Sequence, residues 1–264
     1  MRFVNEEKIK NIKIENNNYY VAIDFDKTIT KGDSCDSWDA TGRMLGDEFK
    51  KDLNRLSEKY GPIELDYKIS FEEKEKAMQV WYSECMNLYY QYNLTEQQLD
   101  ESVRISEIVF RDGAKDILKY WQNNNIPVII LSAGIGNIIL KFLKMNNCLY
   151  DNMYVISNFL SFDENGKIKK YENDIIHTLN KTMKGHITEE ISSKIANKEF
   201  RLLFGDFIED KNIISKDEWD RTISTGFLSK NIEENTEIYK KSFDIVLTNE
   251  DATYQVARKI IGIN

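Results

Sequence analysis

Short apolar runs recur along the chain at 19–24, 127–132, 154–157, 201–206 and 243–248. Near-continuous runs of this length mark strands buried on both faces. Several of the later ones are separated by helical spacing. Ile138, Ile139, Phe142, Leu143 and Met145 fall on one helical stripe, and Tyr254, Ala257 and Ile261 on another. Strands alternating with helices predict an α/β fold, a Rossmann-type, mostly parallel sheet with helices on both faces. The gap between the first two runs is too long for one crossover, and residues 34–111 read as helical instead. Phe49, Leu53, Leu56 and Tyr60 share a face, as do Met78, Trp81, Cys85 and Leu88. Ser70-Phe71-Glu72-Glu73 and Thr95-Glu96-Gln97-Gln98 have the spacing of capping boxes, which start helices by satisfying their free N–H groups. The organisation expected is therefore an α/β core at 1–33 and 112–264, interrupted by a helical insert at 34–111. An insert just after the first strand is placed to cover that strand's end as a cap. Asn165-Gly166 within 162–168 predicts a protruding hairpin.

Composition narrows the function. The chain has 264 residues, 41% of them hydrophobic, enough for one sizeable core. A formal net charge of -8 repels a nucleic-acid polymer, although a local basic pocket can still hold one phosphate. The three cysteines, Cys35, Cys85 and Cys148, are far apart and show no paired spacing, so neither a disulfide framework nor a zinc knuckle is expected. The charged start, Met1-Arg2-Phe3-Val4-Asn5-Glu6-Glu7-Lys8, has no apolar leader, and the stretch 128–140 is too broken and short to span a bilayer. The expectation is a soluble, cytoplasmic protein in a reducing compartment, with no membrane partner. His177 and His186 are the two histidines, and neither lies in a nucleophile context, which argues against a Ser-His-Asp or Cys-His hydrolase.

The first run ends in Asp24-Phe25-Asp26-Lys27-Thr28. In open α/β sheets ligands bind at the carboxyl ends of strands. Two close acids there repel each other and require a cation or a shared proton. A carboxylate is a competent nucleophile toward phosphorus, and a second acid can handle the leaving-group proton. The second run ends in Leu131-Ser132-Ala133-Gly134 and feeds a helix, whose N-terminus is a natural phosphate seat. The 201–206 run leads into Gly205-Asp206 and then Asp210, more acids at a strand end, an oxygen donor set suited to Mg²⁺. A cation is also needed against the phosphoryl oxygens, and chemistry alone leaves Lys181 and Lys184 as alternatives.

The order D-x-D-x-T, strand serine, lysine, G-D-x-x-x-D resembles the four-motif order of the haloacid dehalogenase (HAD) superfamily. The insert residues Ile63-Glu64-Leu65-Asp66, Phe71-Glu72-Glu73-Lys74 and Trp81-Tyr82, with the core segments 129–136, 155–159, 162–166 and Ile176-His177, are similar to the cytosolic pyrimidine 5'-nucleotidases (type III). The resemblance runs from about residue 19 to the C-terminus. It implies that Asp24 is the nucleophile and Asp26 the acid and then the base. It implies Mg²⁺ held by Asp24, the Asp26 carbonyl and Asp206, with Asp210 supporting, and substrate contacts from Thr28, Ser132, Ala133 and Lys181. Glu64 would receive hydrogen bonds from a base, with Cys85 standing where relatives often carry serine. The activity implied is a Mg²⁺-dependent 5'-nucleotidase, with CMP or UMP as substrate. The alternatives are a phosphatase for another small phosphomonoester and, from a different class, a non-catalytic nucleotide-binding module.

Overall fold

Alternate residues of the first run face opposite ways, and each face finds its own apolar partners. The structure is a computed structural model that describes residues 2–3, 5–12, 14, 17–66 and 68–263; Met1 and Val4 of the charged N-terminal stretch lie outside the described residues. Strand β2, after the two-residue β1 (Arg2–Phe3), spans Tyr19–Ile23 and is buried throughout. Tyr19, Val21 and Ile23 pack with Val128, Ile130, Leu202 and Phe204, whereas Tyr20 and Ala22 pack with Ile129, Leu131 and Leu203 on the other face. Each fully buried aliphatic side chain contributes about 1.5–3 kcal/mol.

The remaining strands are β3 (Val128–Ile135), β4 (Met153–Asn158), β5 (Phe200–Gly205), β6 (Thr222–Leu228) and β7 (Ile245–Thr248). They form one sheet in the order β1-β7-β6-β5-β2-β3-β4, parallel except for the β1–β7 pair. The chain leaves β2 for β3 on one side and later returns as β5 on the other. The carboxyl ends of β5, β2 and β3 thus flank the point where strand order reverses, where α/β sheets open a crevice.

Helix α1 (Glu6–Asn11) precedes β2. Between β2 and β3 stand α2 (Ser37–Gly42), α3 (Gly46–Leu65), α4 (Phe71–Gln91) and α5 (Glu96–Ile105), followed by the crossover helix α6 (Ala114–Asn123). Both capping boxes form, at Ser70/Glu73 and Thr95/Gln98. Phe49, Leu53, Leu56 and Tyr60 of α3 are buried, as are Met78, Cys85 and Leu88 of α4, while Trp81 is half-buried and stacks on Tyr60 at 6.1 Å. The two passages joining this insert to the sheet lie side by side, bonded from Lys31 N–H to the Val109 carbonyl (2.9 Å) and from Cys35 N–H to Glu107 (3.3 Å). Helices α7 (Gly136–Met145), α8 (Met183–His186), α9 (Glu189–Ile195), α10 (Ile232–Ser242) and α11 (Gln255–Ile260) complete the layers. The 162–168 hairpin is present, with Gly166 at φ +71° and its carbonyl accepting from Glu96 N–H of the insert (2.9 Å).

Three local expectations differ from the structure. β6 is not among the apolar runs, because Thr222, Ser224, Thr225 and Gly226 interrupt it. It is nevertheless fully buried, with Ser224 giving its N–H and hydroxyl to Asp244 (2.9 and 2.8 Å). β1 is too short to carry a pattern. Met145, placed on the apolar stripe of α7, ends that helix 53% exposed.

Candidate active site

After β2 the backbone stays extended through Asp24, so Phe25 points into the core and the flanking acids share the opposite side. Phe25 meets Phe142 edge-on at 5.8 Å. The chain then turns through Lys27, whose φ of +60° is rare for a side-chain-bearing residue. Three contacts hold that turn. Lys27 N–H donates to Thr30 Oγ1 (2.7 Å). Buried Arg111 donates to the carbonyls of Lys27, Thr28 (2.9 Å) and Ala252 (3.1 Å) while lying 4.1 Å over the Phe227 ring. Tyr254 adds its hydroxyl to the Thr28 carbonyl (3.2 Å).

Asp24, at the end of β2, is tied to β5 by its N–H on the Phe204 carbonyl (3.0 Å). Its carboxylate accepts from Lys181, which also donates to Asp210 at 2.7 Å. Asp210 Oδ2 in turn accepts from the N–H groups of Asp206 and Phe207, both 3.0 Å. A side chain at Gly205 would stand 2.4 Å from Asp210 Cβ, so glycine is what lets Asp210 fold back under the strand end. Asp24, Asp206 and Asp210 present carboxylate oxygens within 4.8 Å of one another.

Burial pushes Asp24 up to about 6, with Asp210 adding to the rise against the pull of Lys181. Burial, then Asp24 and Asp210, raises Asp206 well above the carboxylate range. Burial works against a charged Lys181, but Asp210 and Asp24 outweigh it and hold the ammonium above the ordinary lysine range. Lys181 bonds two of the three carboxylates and Lys27 adds its charge near Asp206, yet Asp24 and Asp210 still repel the Asp206 charge. That residual repulsion and an all-oxygen donor set fit a hard dication such as Mg²⁺.

Asp26 is gripped by Ser37 at the start of α2, whose N–H and hydroxyl donate to its two oxygens at 2.9 and 2.6 Å. Ser37 Oγ accepts in turn from Ile135 N–H (3.0 Å). Burial, followed by the nearby Asp36 charge, pushes Asp26 up to about 8, so it holds a proton at neutral pH. Gly134 is required here as well: a Cβ would lie 2.1 Å from Ser37 Oγ and 2.7 Å from Asp26 Oδ2.

These groups floor a cleft of about 340 Å³. Ser132, Ala133 and Gly134 line it from β3, and Glu64, Trp81, Tyr82 and Cys85 from α3 and α4. Trp38 of α2 hydrogen-bonds the Ala133 carbonyl (3.2 Å) and meets Tyr82 edge-on at 5.4 Å. Glu64 accepts from the Thr178 hydroxyl at 2.7 Å. Burial pushes the Cys85 thiol up to about 12, so it remains a thiol. Thr28 alone of the sequence-predicted substrate contacts does not line the cleft. It is fully buried, its hydroxyl 3.5 Å from Asp206 Oδ1.

Sequence reasoning missed Ser37, Trp38, Arg111, Asn158 and Thr178. Asn158 has all its amide atoms engaged: Nδ2 donates to the Ala133 and Ile176 carbonyls (2.9 and 2.8 Å), and Oδ1 accepts from Ile176 N–H (2.9 Å) and Tyr171 (3.2 Å). It thereby anchors the 176–181 segment that delivers Thr178 and Lys181. The one signal available was for Ser37, which follows Asp36 just ahead of a helical stretch, as capping residues do.

The sequence matches the family described as Pyrimidine 5'-nucleotidase (UMPH-1) over residues 6–263. It is 31% identical over 246 residues to the 7-methylguanosine phosphate-specific 5'-nucleotidase A of Xenopus laevis, covering 90% of this chain and 84% of that one. With the 7-methylguanosine phosphate-specific 5'-nucleotidase of Homo sapiens it shares 30% over 249 residues, 91% and 83% of the two chains. Among solved structures, cytosolic 5'-nucleotidase IIIB bound to cytidine superposes with a TM-score of 0.84 at 28% identity, over 97% of this chain and 89% of that one. A substrate-bound phosphoserine phosphatase shares the fold alone, with a TM-score of 0.59 at 19% identity over 93% and 98% of the chains. The protein is thus a phosphomonoester hydrolase on the HAD fold. Within that class it belongs to the pyrimidine 5'-nucleotidase family.

Proposed function

We propose that this 5'-nucleotidase hydrolyses nucleoside 5'-monophosphates, CMP or UMP first among them, through an aspartyl-phosphate on Asp24, with Mg²⁺ as its cation. The observation that carries the reading is the polarity of the cleft. One end holds Asp24, Asp26, Ser132 and Lys181; the other holds Glu64 with the Trp38 and Tyr82 rings. A phosphomonoester with a flat, hydrogen-bonding group at its far end matches both. The cytidine in the related structure and the 7-methylguanosine phosphate named for the curated relatives are molecules of that shape.

Asp24, the Asp26 carbonyl and Asp206 would hold the Mg²⁺, with Asp210 behind them. When bound it neutralises charge on the carboxylates and the phosphoryl group. Asp210 suits a supporting place because both its oxygens already accept hydrogen bonds. A carboxylate oxygen of Asp24 attacks phosphorus as the P–O bond to the ribose breaks. Asp26, protonated and held by Ser37, gives its proton to the departing ribose oxygen. The resulting Asp26 carboxylate then takes a proton from water, whose oxygen attacks the aspartyl-phosphate, releasing phosphate and restoring Asp24. Lys181 and Ser132 hold the phosphoryl oxygens throughout, an electrostatic contribution set in place before reaction. Residues 34–111 act as the cap and exclude bulk water on closure. Glu64 accepts N–H groups of the base, and Thr28 acts by steadying Asp206. The cytosolic name of a Caenorhabditis elegans relative, the putative cytosolic 5'-nucleotidase 3, supports a cytoplasmic site of action. Among the described residues no helix is long and apolar enough to cross a membrane.

The test is phosphate release with Mg²⁺ from CMP, UMP, 7-methyl-GMP, phosphoserine, a sugar phosphate and p-nitrophenyl phosphate. Asp24→Asn and EDTA serve as controls. Preferential release from a nucleotide, abolished by both controls, is expected. Preference for the non-nucleotide esters would discard the substrate assignment.

A further inference from the structure

Thr178 and Glu64 are 114 residues apart in sequence, yet the Thr178 hydroxyl donates to Glu64 Oε1 at 2.7 Å across the cleft. The two ends of this bond are held very differently. Glu64 lies in the last turn of α3, where its own carbonyl accepts from buried Lys74 at 2.9 Å. Thr178 belongs to the core segment 176–181, which is fixed at several points. Ile176 is bonded at both its N–H and carbonyl to Asn158, His177 N–H donates to Asn180 Oδ1 (2.8 Å), and Asn180 Nδ2 donates to the Ile175 carbonyl (2.8 Å). Three residues beyond Thr178, the same segment delivers Lys181 to Asp24.

A threonine hydroxyl has one proton. Given to Oε1, it fixes the Glu64 carboxylate in plane and leaves Oε2 to accept from a ligand. A freely rotating glutamate would lose side-chain entropy on engaging a base, a cost that this bond removes in advance. The Tyr82 ring, which meets His177 edge-on at 6.1 Å, closes the side of the arrangement.

We propose that Thr178 is a positioning residue for nucleotide recognition. It orients Glu64 for the base and, because Lys181 lies on the same rigid segment, sets the spacing between the base end and the phosphate end of the cleft. This rests on the nucleotidase reading and on the recognition role of Glu64. Thr178→Val removes the hydroxyl while keeping the shape, and Thr178→Ser restores it. With the preferred nucleoside monophosphate, Thr178→Val raises KM by about five- to tenfold with little change in kcat, the penalty of ordering one free side chain on binding. Any change with p-nitrophenyl phosphate, which offers no base, is several-fold smaller, and Thr178→Ser returns KM to near the parent value. An equal rise in KM for both substrates, an unchanged nucleotide KM, or failure of serine to restore it would overturn the proposal. Glu64→Gln separates the two levels. If it erases the nucleotide preference while Thr178→Val preserves it, only the role of Thr178 falls; if it leaves that preference intact, base recognition by Glu64 falls as well.

Discussion

The two ends of the cleft are built by different means. At the phosphate end, Asp24 and Asp206 follow the adjacent parallel strands β2 and β5, Ser132 lies on β3 beside them, and Asp26 and Asp210 each accept two or more hydrogen bonds. At the base end, Trp38, Glu64, Tyr82 and Cys85 come from three helices of the insert. On the proposed function, the strand ends carry the chemistry, with Ser37 of α2 lending its grip on Asp26, while α3 and α4 carry most of the choice of substrate.

Substitutions can break this division. The largest effect is expected at the phosphate end, where Asp24→Asn removes the proposed nucleophile. It lowers kcat/KM by about 10⁴-fold or more toward every ester, measured as phosphate release. Asp26→Asn follows, with a loss of about 10²–10⁴-fold, again equal for nucleotide and non-nucleotide substrates. An Asp24 or Asp26 variant that lost only nucleotide hydrolysis would contradict the separation.

Arg111 tests what supports the first motif. Arg111→Ala removes the side-chain donor from the carbonyls of Lys27 and Ala252 and leaves that of Thr28 with Tyr254 alone. With about 1–3 kcal/mol for each buried group left unpaired, the expected loss of stability in urea unfolding is about 3 kcal/mol. kcat falls for both substrate types, since the turn carrying Asp26 loosens.

The 176–181 segment serves both ends and has its own pH signature. Burial, with a smaller contribution from His186, lowers His177 from 6.5 to about 4. Its Nδ1 accepts from Leu179 N–H at 3.2 Å, an acceptor that protonation removes. Because the unfolded chain binds this proton more readily, the contribution is present above pH 6.5 and is lost as pH falls toward 4. The loss amounts to about 3 kcal/mol at most. Thermal unfolding across that range should show a decline that His177→Gln flattens.

The same contrast explains what was legible in the sequence. Asp24, Ser132 and Asp206 each follow an apolar run, so local pattern and chemistry locate them together. Arg111 and Thr178 carry no such mark, because their partners Thr28 and Glu64 are 83 and 114 residues away. Trp38 reads as one more aromatic in a helical stretch until its indole is seen on the Ala133 carbonyl. β6 escaped for a related reason, its Thr and Ser positions reading as loop until Asp244 and parallel neighbours on both sides satisfy them. The capping boxes of α4 and α5, whose partners are three residues apart, were readable in full.

The smallest effect is the most discriminating. Glu64→Gln exchanges an acceptor-only carboxylate for an amide and should cost about tenfold in nucleotide kcat/KM, the worth of one charged hydrogen bond. The decisive measurement is the ratio of kcat/KM for the preferred nucleoside monophosphate to that for p-nitrophenyl phosphate, in the parent and in Glu64→Gln. Division of labour between sheet and insert predicts that the ratio falls about tenfold while p-nitrophenyl phosphate hydrolysis holds close to the parent rate. An unchanged ratio, with both substrates slowed alike, would contradict it.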